Sequence, residues 1–135
     1  MSKSAKPAAE RRIAHPEPTP GSKPYWDAAA EGRLMIGACR ACKKVHHYPR
    51  AICPQCFSTD VELKQASGKG TIYTYSVMRR VAEPYTIAYI TLDEGVTMMT
   101  NLVDCDFDKL AIGQKVAVVF KASEKGQAVP MFKPA

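Results

Sequence analysis

The chain has 135 residues, of which 46% are hydrophobic, and it carries a formal net charge of +6. This length allows one domain or two very small ones, and no apolar run approaches the roughly 20 residues that a membrane-spanning helix needs. Because the N-terminus also lacks the apolar core of a signal peptide, we expect a soluble, cytoplasmic protein.

The first 22 residues are predicted to form a tail. They combine four prolines with Ser, Ala and Lys, and they contain almost no large apolar side chains. Such a segment cannot bury enough surface to offset the entropy lost on ordering. We therefore predict a Pro-rich, basic tail over residues 1–22 that is disordered in isolation and available to a partner.

The next segment, residues 23–38, is predicted to hold a short helix followed by a lead strand. Pro24 opens a run of helix-forming residues that ends at Gly32, and these are typical start and stop residues of a helix. Tyr25 and Trp26 are large side chains on a very short element, so they need packing partners. They could pack on this chain's own ribbon or barrel, form a partner-binding surface, or do both, with one ring facing each side.

Two Cys-x-x-Cys pairs are the most informative feature of the chain. Four sulfurs can close a tetrahedral zinc site with Zn–S distances of about 2.3 Å, and the ten residues between the pairs suffice for a strand, a turn and a return strand. We therefore predict a zinc ribbon over residues 39–60 with one structural zinc ion. Four thiolates leave no open position for a catalytic water. The predicted ligands are Cys39, Cys42, Cys53 and Cys56.

Other interpretations of the four cysteines stay open. Two disulfides would use the same thiols, but paired Cys-x-x-Cys motifs in a reducing cytosol indicate metal ligands. A redox site needs only one pair, and iron bound as in rubredoxin would use the same four ligands. His46 and His47 lie between the pairs and could replace one thiolate.

Residues 61–135 show the pattern of a five-stranded barrel. Alternating β-branched and aromatic residues predict the strands, and one helical turn over residues 106–110 is predicted between the third and the fourth. This order is that of an OB-fold, although other small barrels also have five strands. The predicted fold class is thus mainly β: a short N-terminal helix, a rubredoxin-like zinc ribbon and a C-terminal OB-fold barrel. The predicted strands span residues 70–79, 85–92, 96–103, 115–121 and 127–132.

Nucleic-acid binding is one alternative function, because zinc ribbons and OB-folds both occur in such proteins. Four tyrosines on the predicted strands could stack bases, but such tyrosines more often belong to the wall or core of a barrel. A nucleic-acid groove also needs a positive lining, and residues 61–135 hold nine Lys or Arg against eight acids, whereas residues 1–60 hold ten against five. The four tyrosines are Tyr73, Tyr75, Tyr85 and Tyr89.

A free-standing enzyme is the other alternative. Cys105 is the only thiol outside the two pairs, and the carboxylates beside it are expected to raise its pKa and suppress the thiolate. No Ser-His-Asp set, paired-carboxylate cleft or phosphate-binding glycine loop stands out. We therefore expect no catalysis by the isolated chain.

The chain resembles the zinc-ribbon/OB-fold proteins described as acyl-CoA-associated, once a family of unknown function. The resemblance covers residues 23–135, although the family commonly has Gly where Lys43 stands here. The matching motifs are Pro24-Tyr25-Trp26, Glu31-Gly32-Arg33-Leu34, the two Cys pairs, Tyr48-Pro49-Arg50, Gly68-Lys69-Gly70-Thr71-Ile72-Tyr73-Thr74-Tyr75, Pro84-Tyr85, Leu92-Asp93-Glu94-Gly95, Ile112-Gly113-Gln114-Lys115-Val116 and Phe132-Lys133-Pro134.

The resemblance implies a non-catalytic accessory subunit that docks on a thiolase-like enzyme and helps to form its CoA or acyl-CoA channel. Other family members pair with hot-dog hydratases or serve retro-aldolases. The implied cofactors are one structural zinc ion and a CoA thioester shared with the partner enzyme. Because CoA phosphates need Lys or Arg, Arg50, Arg79 and Arg80 are candidate CoA-binding residues, although such an arginine is more often a solvated surface charge.

Overall fold

The computed structural model describes residues 12–135, which form one helix, a three-stranded ribbon sheet and a closed five-stranded barrel. The mainly β fold class is thereby confirmed. None of the helices in this part of the chain has the length and apolar character to cross a membrane. The elements are α1 (Lys23–Ala30), β1 (Met35–Cys39), β2 (Val45–His46), β3 (Val61–Gln65), β4 (Lys69–Met78), β5 (Tyr85–Leu92), β6 (Thr97–Leu102), a 3-10 turn (Phe107–Lys109), β7 (Lys115–Ala122) and β8 (Ala128–Pro134).

Helix α1 begins and ends close to the residues that the sequence predicts. Pro24 lies in its first turn, where the missing N–H leaves no hydrogen bond unmade. At the other end, the N–H of Arg33 donates to the carbonyl of Ala28, and the N–H of Gly32 donates to that of Ala29, both at 2.9 Å. This pair of bonds is a Schellman motif, and it needs the left-handed φ of +79° at Gly32.

The ribbon sheet has the strand order β2-β1-β3, and both of its pairings are antiparallel. The segment between the Cys pairs supplies only the two-residue strand β2, so the predicted strand and return strand are not both found there. The third strand is β3, which pairs with β1 although its residues fall within the predicted barrel segment 61–135. The physical reason is polarity: four of the five β3 residues are exposed, which suits the edge of a small sheet and not the wall of a packed barrel.

The barrel has the strand order β4-β5-β6-β8-β7, and β7 closes it by pairing with β4. Each observed strand begins and ends within two residues of its predicted bounds. The interior of the barrel belongs to the same hydrophobic cluster as Tyr25 and Trp26 of α1 and Ile36 of β1. Helix, ribbon and barrel therefore share one core, so a disturbance of the ribbon is transmitted to the barrel.

Ile13, a residue of the predicted tail, contacts the barrel, whereas disorder of residues 1–22 in isolation stays a prediction. The side chain of Ile13 packs against the buried side chains of Val103 and Met131. The Ile13 carbonyl also accepts a hydrogen bond from the N–H of Glu124 at 2.9 Å. The outer face of the barrel thus offers an apolar pair that the tail composition did not reveal. The first 11 residues of the predicted tail lie outside the described part of the chain.

Candidate functional site

The four cysteines predicted as zinc ligands lie together on two loops of the ribbon. All four Sγ atoms are within 4.8 Å of one another. The Sγ atoms of Cys39 and Cys56 are 3.6 Å apart, and those of Cys42 and Cys53 are 3.7 Å apart. A tetrahedral ion about 2.3 Å from each sulfur separates the sulfurs by about 3.8 Å. The observed spacing therefore fits a zinc ion held by all four thiolates.

The two Cys-x-x-Cys loops share one backbone geometry. The carbonyl of Cys39 accepts a hydrogen bond from the N–H of Lys43, and the carbonyl of Cys53 accepts one from Phe57, each at 2.9 Å. Lys43 and Phe57 both have left-handed backbones, with φ of +66° and +65°. The fold thus repeats one short turn, and each copy presents two sulfurs to the shared site.

The electrostatics of the cluster also suit a cation. Desolvation opposes ionisation of Cys53, but backbone N–H donors from Cys56 and Gln55 outweigh it and lower the pKa of Cys53 to about 7. At Cys56, a backbone hydrogen bond from Ser58 favours the thiolate, yet desolvation and the nearby sulfurs raise the pKa of Cys56 to about 11. Four thiolates this close repel one another unless a metal ion lies between them. A bound zinc ion would supply that charge and hold the two loops together.

The left-handed backbone of Lys43 leads to a stability prediction. This conformation costs a residue with a Cβ about 1–2 kcal/mol. Glycine avoids that cost, but its larger loss of chain entropy on folding offsets part of the gain. We expect Lys43→Gly to raise the free energy of unfolding of the zinc-loaded chain by roughly 0.5–1 kcal/mol, measured by denaturant titration. The matched control Lys44→Gly, where φ is not positive, should lower it. Equal losses in both variants would show that Lys43 is not strained.

The two histidines between the Cys pairs lie outside the metal cluster, which in the described chain consists of the four cysteines. His46 is buried, and its ring occupies the space that a Cβ at Gly37 would need. The Nε2 atom of His47 lies 3.1 Å from the hydroxyl oxygen of Tyr25. Burial, helped by the nearby His46, lowers the pKa of His47 to about 4. His47 is therefore neutral near pH 7 and contributes to packing around Tyr25.

Tyr25, Trp26, His47 and Tyr48 form one aromatic cluster. The ring of Tyr25 meets Trp26 edge-on at 5.1 Å and Tyr48 at 5.0 Å, and His47 stacks on Tyr48 at 4.4 Å. Burial, followed by the charge of Tyr48, raises the pKa of Tyr25 well above its ordinary value. Tyr25 and Trp26 are both buried within their own chain. Their predicted contact with a partner therefore depends on the cavity that they line.

That cavity, which we call the aromatic cleft, has a volume of about 220 Å³. The aromatic cluster forms one wall, and strands β5, β6 and β8 of the barrel form the other. None of the residues that line it is Lys, Arg, Asp or Glu. The barrel wall consists of Ile87, Met98, Met99, Thr100, Asn101, Val129, Pro130 and Met131.

The three candidate CoA-binding arginines do not line the aromatic cleft. Arg79 is exposed and forms an ion pair with Asp108 at 2.8 Å. Arg80 is exposed beside it, and it forms no ion pair with the described residues. Arg50 is exposed two residues after Tyr48, which places it nearest to the cleft along the chain. Their role in binding CoA stays a prediction.

Sequence reasoning missed a stripe of exposed apolar side chains on the outer face of the barrel. Tyr73, Tyr89 and Met99 are 66%, 44% and 61% exposed. Tyr89 lies directly opposite Met99, and Tyr73 lies at the bulge where β4 meets β5. We call these three residues the barrel stripe. A strand with apolar residues on both faces was the available signal, but alternation alone does not show which face is covered.

The pKa of Cys105 is raised, as the sequence predicts, but the leading cause is burial and not the neighbouring carboxylates. Burial, and then the charges of Asp104 and Asp106, raise the pKa of Cys105 to about 11. The side chain also packs against the main hydrophobic cluster. Cys105 is therefore a protonated thiol near pH 7 and not an activated nucleophile.

Two family models match consecutive parts of this chain. The rubredoxin-like zinc ribbon domain of ChsH2 matches residues 26–62, and the C-terminal OB-fold domain of ChsH2 matches residues 63–121. The boundary between the two models lies within β3.

Curated relatives come from archaea and bacteria. The chain is 38% identical over 104 residues to a "DUF35 domain-containing scaffold protein" of Methanocaldococcus jannaschii, covering 71% of this chain and 74% of that protein. A protein of the same name from Methanothermobacter thermautotrophicus is 37% identical over 102 residues, with 70% and 77% covered. A "Probable enoyl-CoA hydratase alpha subunit" of Thermomonospora curvata is 35% identical over 116 residues; 82% of this chain matches, but the match spans only 36% of that subunit.

The fold also recurs in solved structures. A chain from an "Ltp2-ChsH2(DUF35) aldolase" is 33% identical, has a TM-score of 0.77, and is matched over 89% of this chain and 98% of its own length. A DUF35 protein of unknown function from Sulfolobus solfataricus has a TM-score of 0.65 over 87% of each chain, but its 13% identity indicates a shared fold alone. From the paired family models and these relatives, the chain belongs to the DUF35 family, with the zinc ribbon and OB-fold of ChsH2 in the same order.

Proposed function

We propose that this chain is a non-catalytic accessory subunit that docks on a thiolase-like, acyl-CoA-processing enzyme and helps to form its CoA or acyl-CoA channel. One observation carries the proposal: this chain is 33% identical to a chain of an "Ltp2-ChsH2(DUF35) aldolase" and covers 98% of that chain. Archaeal relatives named as scaffold proteins agree with a supporting role. The choice of a thiolase-like partner rests on the family resemblance.

The chemistry of the described residues agrees with a non-catalytic role. The metal cluster uses four sulfurs, which leaves no coordination position for a substrate, and Cys105 is protonated near pH 7. The Nδ1 atom of His15 lies 3.2 Å from the hydroxyl oxygen of Ser123, but no carboxylate in the described chain hydrogen bonds to His15. Without a group to orient the imidazole, this pair lacks the third member of a hydrolytic triad.

The barrel stripe is the surface that we assign to enzyme docking. Exposed Tyr and Met side chains are enriched in protein interfaces, and this stripe continues into the aromatic cleft through Met99. Tyr25 and Trp26 would then contact the partner or its substrate only through the cleft that they line.

The three arginines are proposed to meet the phosphates of CoA at the edge of this interface. Arg79 would have to leave Asp108, but a surface ion pair contributes only about 0–1 kcal/mol. A phosphate offers a stronger, charge-assisted partner to the same guanidinium group, so the exchange is favourable. Arg50 and Arg80 need no such exchange in the described chain, because neither forms an ion pair there.

A hydratase or a retro-aldolase is the alternative partner. The names of the relatives favour these two classes, since one is a probable hydratase subunit and one solved structure is an aldolase. All of these partners process CoA thioesters in the family that the sequence resembles. Purification of the native protein decides among them, because it identifies the enzyme that accompanies this chain.

The proposal is tested by purifying the untagged native protein and identifying what accompanies it. We expect a thiolase-like enzyme in fixed ratio to this chain. In reconstitution with that enzyme, Tyr73→Ser combined with Tyr89→Ser should weaken association at least tenfold, because both side chains belong to the barrel stripe. Both are exposed and are not needed for folding. Ile112→Ser is the matched control, since Ile112 is 70% exposed and lies outside the stripe. A chain that purifies alone, or that hydrolyses a thioester without any companion, would disprove the proposal.

A further inference from the structure

We propose that the aromatic cleft binds the acyl chain of the CoA thioester and excludes its nucleotide end. This inference deepens the proposed function, on which the identity of the ligand rests. Its evidence is separate, however, because it comes from the size, charge and hydrogen bonding of the cleft.

Size excludes the complete thioester. Sites that enclose a drug-sized ligand have volumes of roughly 300–1,000 Å³, whereas this cleft has about 220 Å³. A CoA thioester is larger than most such ligands. The cleft therefore has room for one end of the molecule.

The charge of the lining selects the acyl end. No Lys or Arg lines the cleft, so a phosphate there would lose its hydration without gaining a cation. Three of the lining side chains are methionines, Met98, Met99 and Met131, whose flexible thioethers adapt to irregular apolar shapes. An uncharged hydrocarbon chain suits this surface.

The hydrogen bonds of the lining favour a hydrocarbon over a peptide segment. The side-chain amide of Asn101 donates to the carbonyl of Thr86 at 2.9 Å, and the hydroxyl of Thr100 donates to the carbonyl of Pro130 at 3.4 Å. On the opposite wall, His47 is engaged with Tyr25. These polar side chains already have partners within the protein. An inserted peptide would find these three side chains already engaged, whereas an acyl chain needs no hydrogen-bond partner.

Trp26 provides a direct reporter, because it lines the cleft and is the only tryptophan in the chain. We would titrate the full zinc-loaded chain with CoA, butanoyl-CoA, hexanoyl-CoA and octanoyl-CoA and follow Trp26 fluorescence. The acyl thioesters should give saturable changes, with Kd falling about fourfold for each further methylene that enters the cleft. CoA alone should leave the emission of Trp26 unchanged.

Paired methionine variants localise the effect. Met99→Ala removes an exposed side chain that lines the cleft, and it should raise the Kd for octanoyl-CoA severalfold. Met78→Ala is the matched control, since Met78 is also exposed but lies outside the cleft, and it should change Kd less than twofold. Circular dichroism of both variants checks that they remain folded.

The remaining outcomes separate the possible occupants. Equal responses to CoA and octanoyl-CoA, or a Kd that does not depend on chain length, would overturn the inference. A change in Trp26 fluorescence caused by the partner enzyme without any thioester would also overturn the inference, because it indicates a protein segment in the cleft. So would a change that depends only on the concentration of this chain, because it indicates a second copy. Chain-length-dependent binding by a chain that purifies without an enzyme would retain the inference and reject the proposed docking role.

Discussion

Replacing Cys39 with Ser is expected to release the zinc ion and unfold the ribbon. Cys39 is buried, and its sulfur lies 3.6 Å from that of Cys56. In isolated zinc-finger peptides a structural ion contributes about 10–16 kcal/mol, which rivals the whole stability of a typical domain, about 5–15 kcal/mol. Because β1 shares its core with the barrel, the damage should reach beyond the ribbon. We expect zinc to fall well below one ion per chain, and Tm to fall by about 10 °C or more.

Cys105→Ser is the matched control for this experiment. It makes the same chemical change at the one cysteine outside the cluster, so it should retain one zinc ion per chain and lose only a little stability. Metal analysis and thermal unfolding of the two variants side by side give the comparison. If the Cys39 variant keeps its zinc and melts with the native protein, the ion does not hold this fold together.

The features that the sequence predicted well are those encoded by neighbouring residues. The spacing within each Cys-x-x-Cys pair determines how two sulfurs can face one ion, so the cluster could be located before any tertiary structure was known. The start and stop of α1 depend on Pro24 and Gly32, whose backbone restrictions act locally. The barrel strands alternate with period two, and their bounds were therefore predicted closely.

The features that the sequence did not reveal depend on distant contacts. Whether β3 joins the ribbon or the barrel is decided by its pairing with β1, more than 20 residues away. Ile13 is one of very few large apolar residues in the predicted tail, and only its contact with Val103 and Met131 makes it a packing residue. The aromatic cleft combines α1, the ribbon and three barrel strands, so no local pattern encodes it.

Replacing Phe132 with Ala is expected to produce the second large loss of stability. Phe132 is fully buried in the core that α1, the ribbon and the barrel share. It also lies where β6 meets β8, since Leu102 and Phe132 are the one paired position between these strands in the described chain. Truncating a buried Phe costs about 3–5 kcal/mol, because apolar contacts are lost and a cavity remains. Denaturant unfolding of the zinc-loaded chain should show a loss of this size.

Phe57→Ala is the matched control, because Phe57 is 78% exposed and lies on a loop of the ribbon. It should change the free energy of unfolding by less than about 0.5 kcal/mol. Zinc content should stay at one ion per chain in both variants, because neither phenylalanine is a ligand. A Phe132 variant as stable as the control would mean that this side chain does not join the barrel to the helix and the ribbon. The aromatic cleft, whose two walls come from these parts, would then have no rigid support.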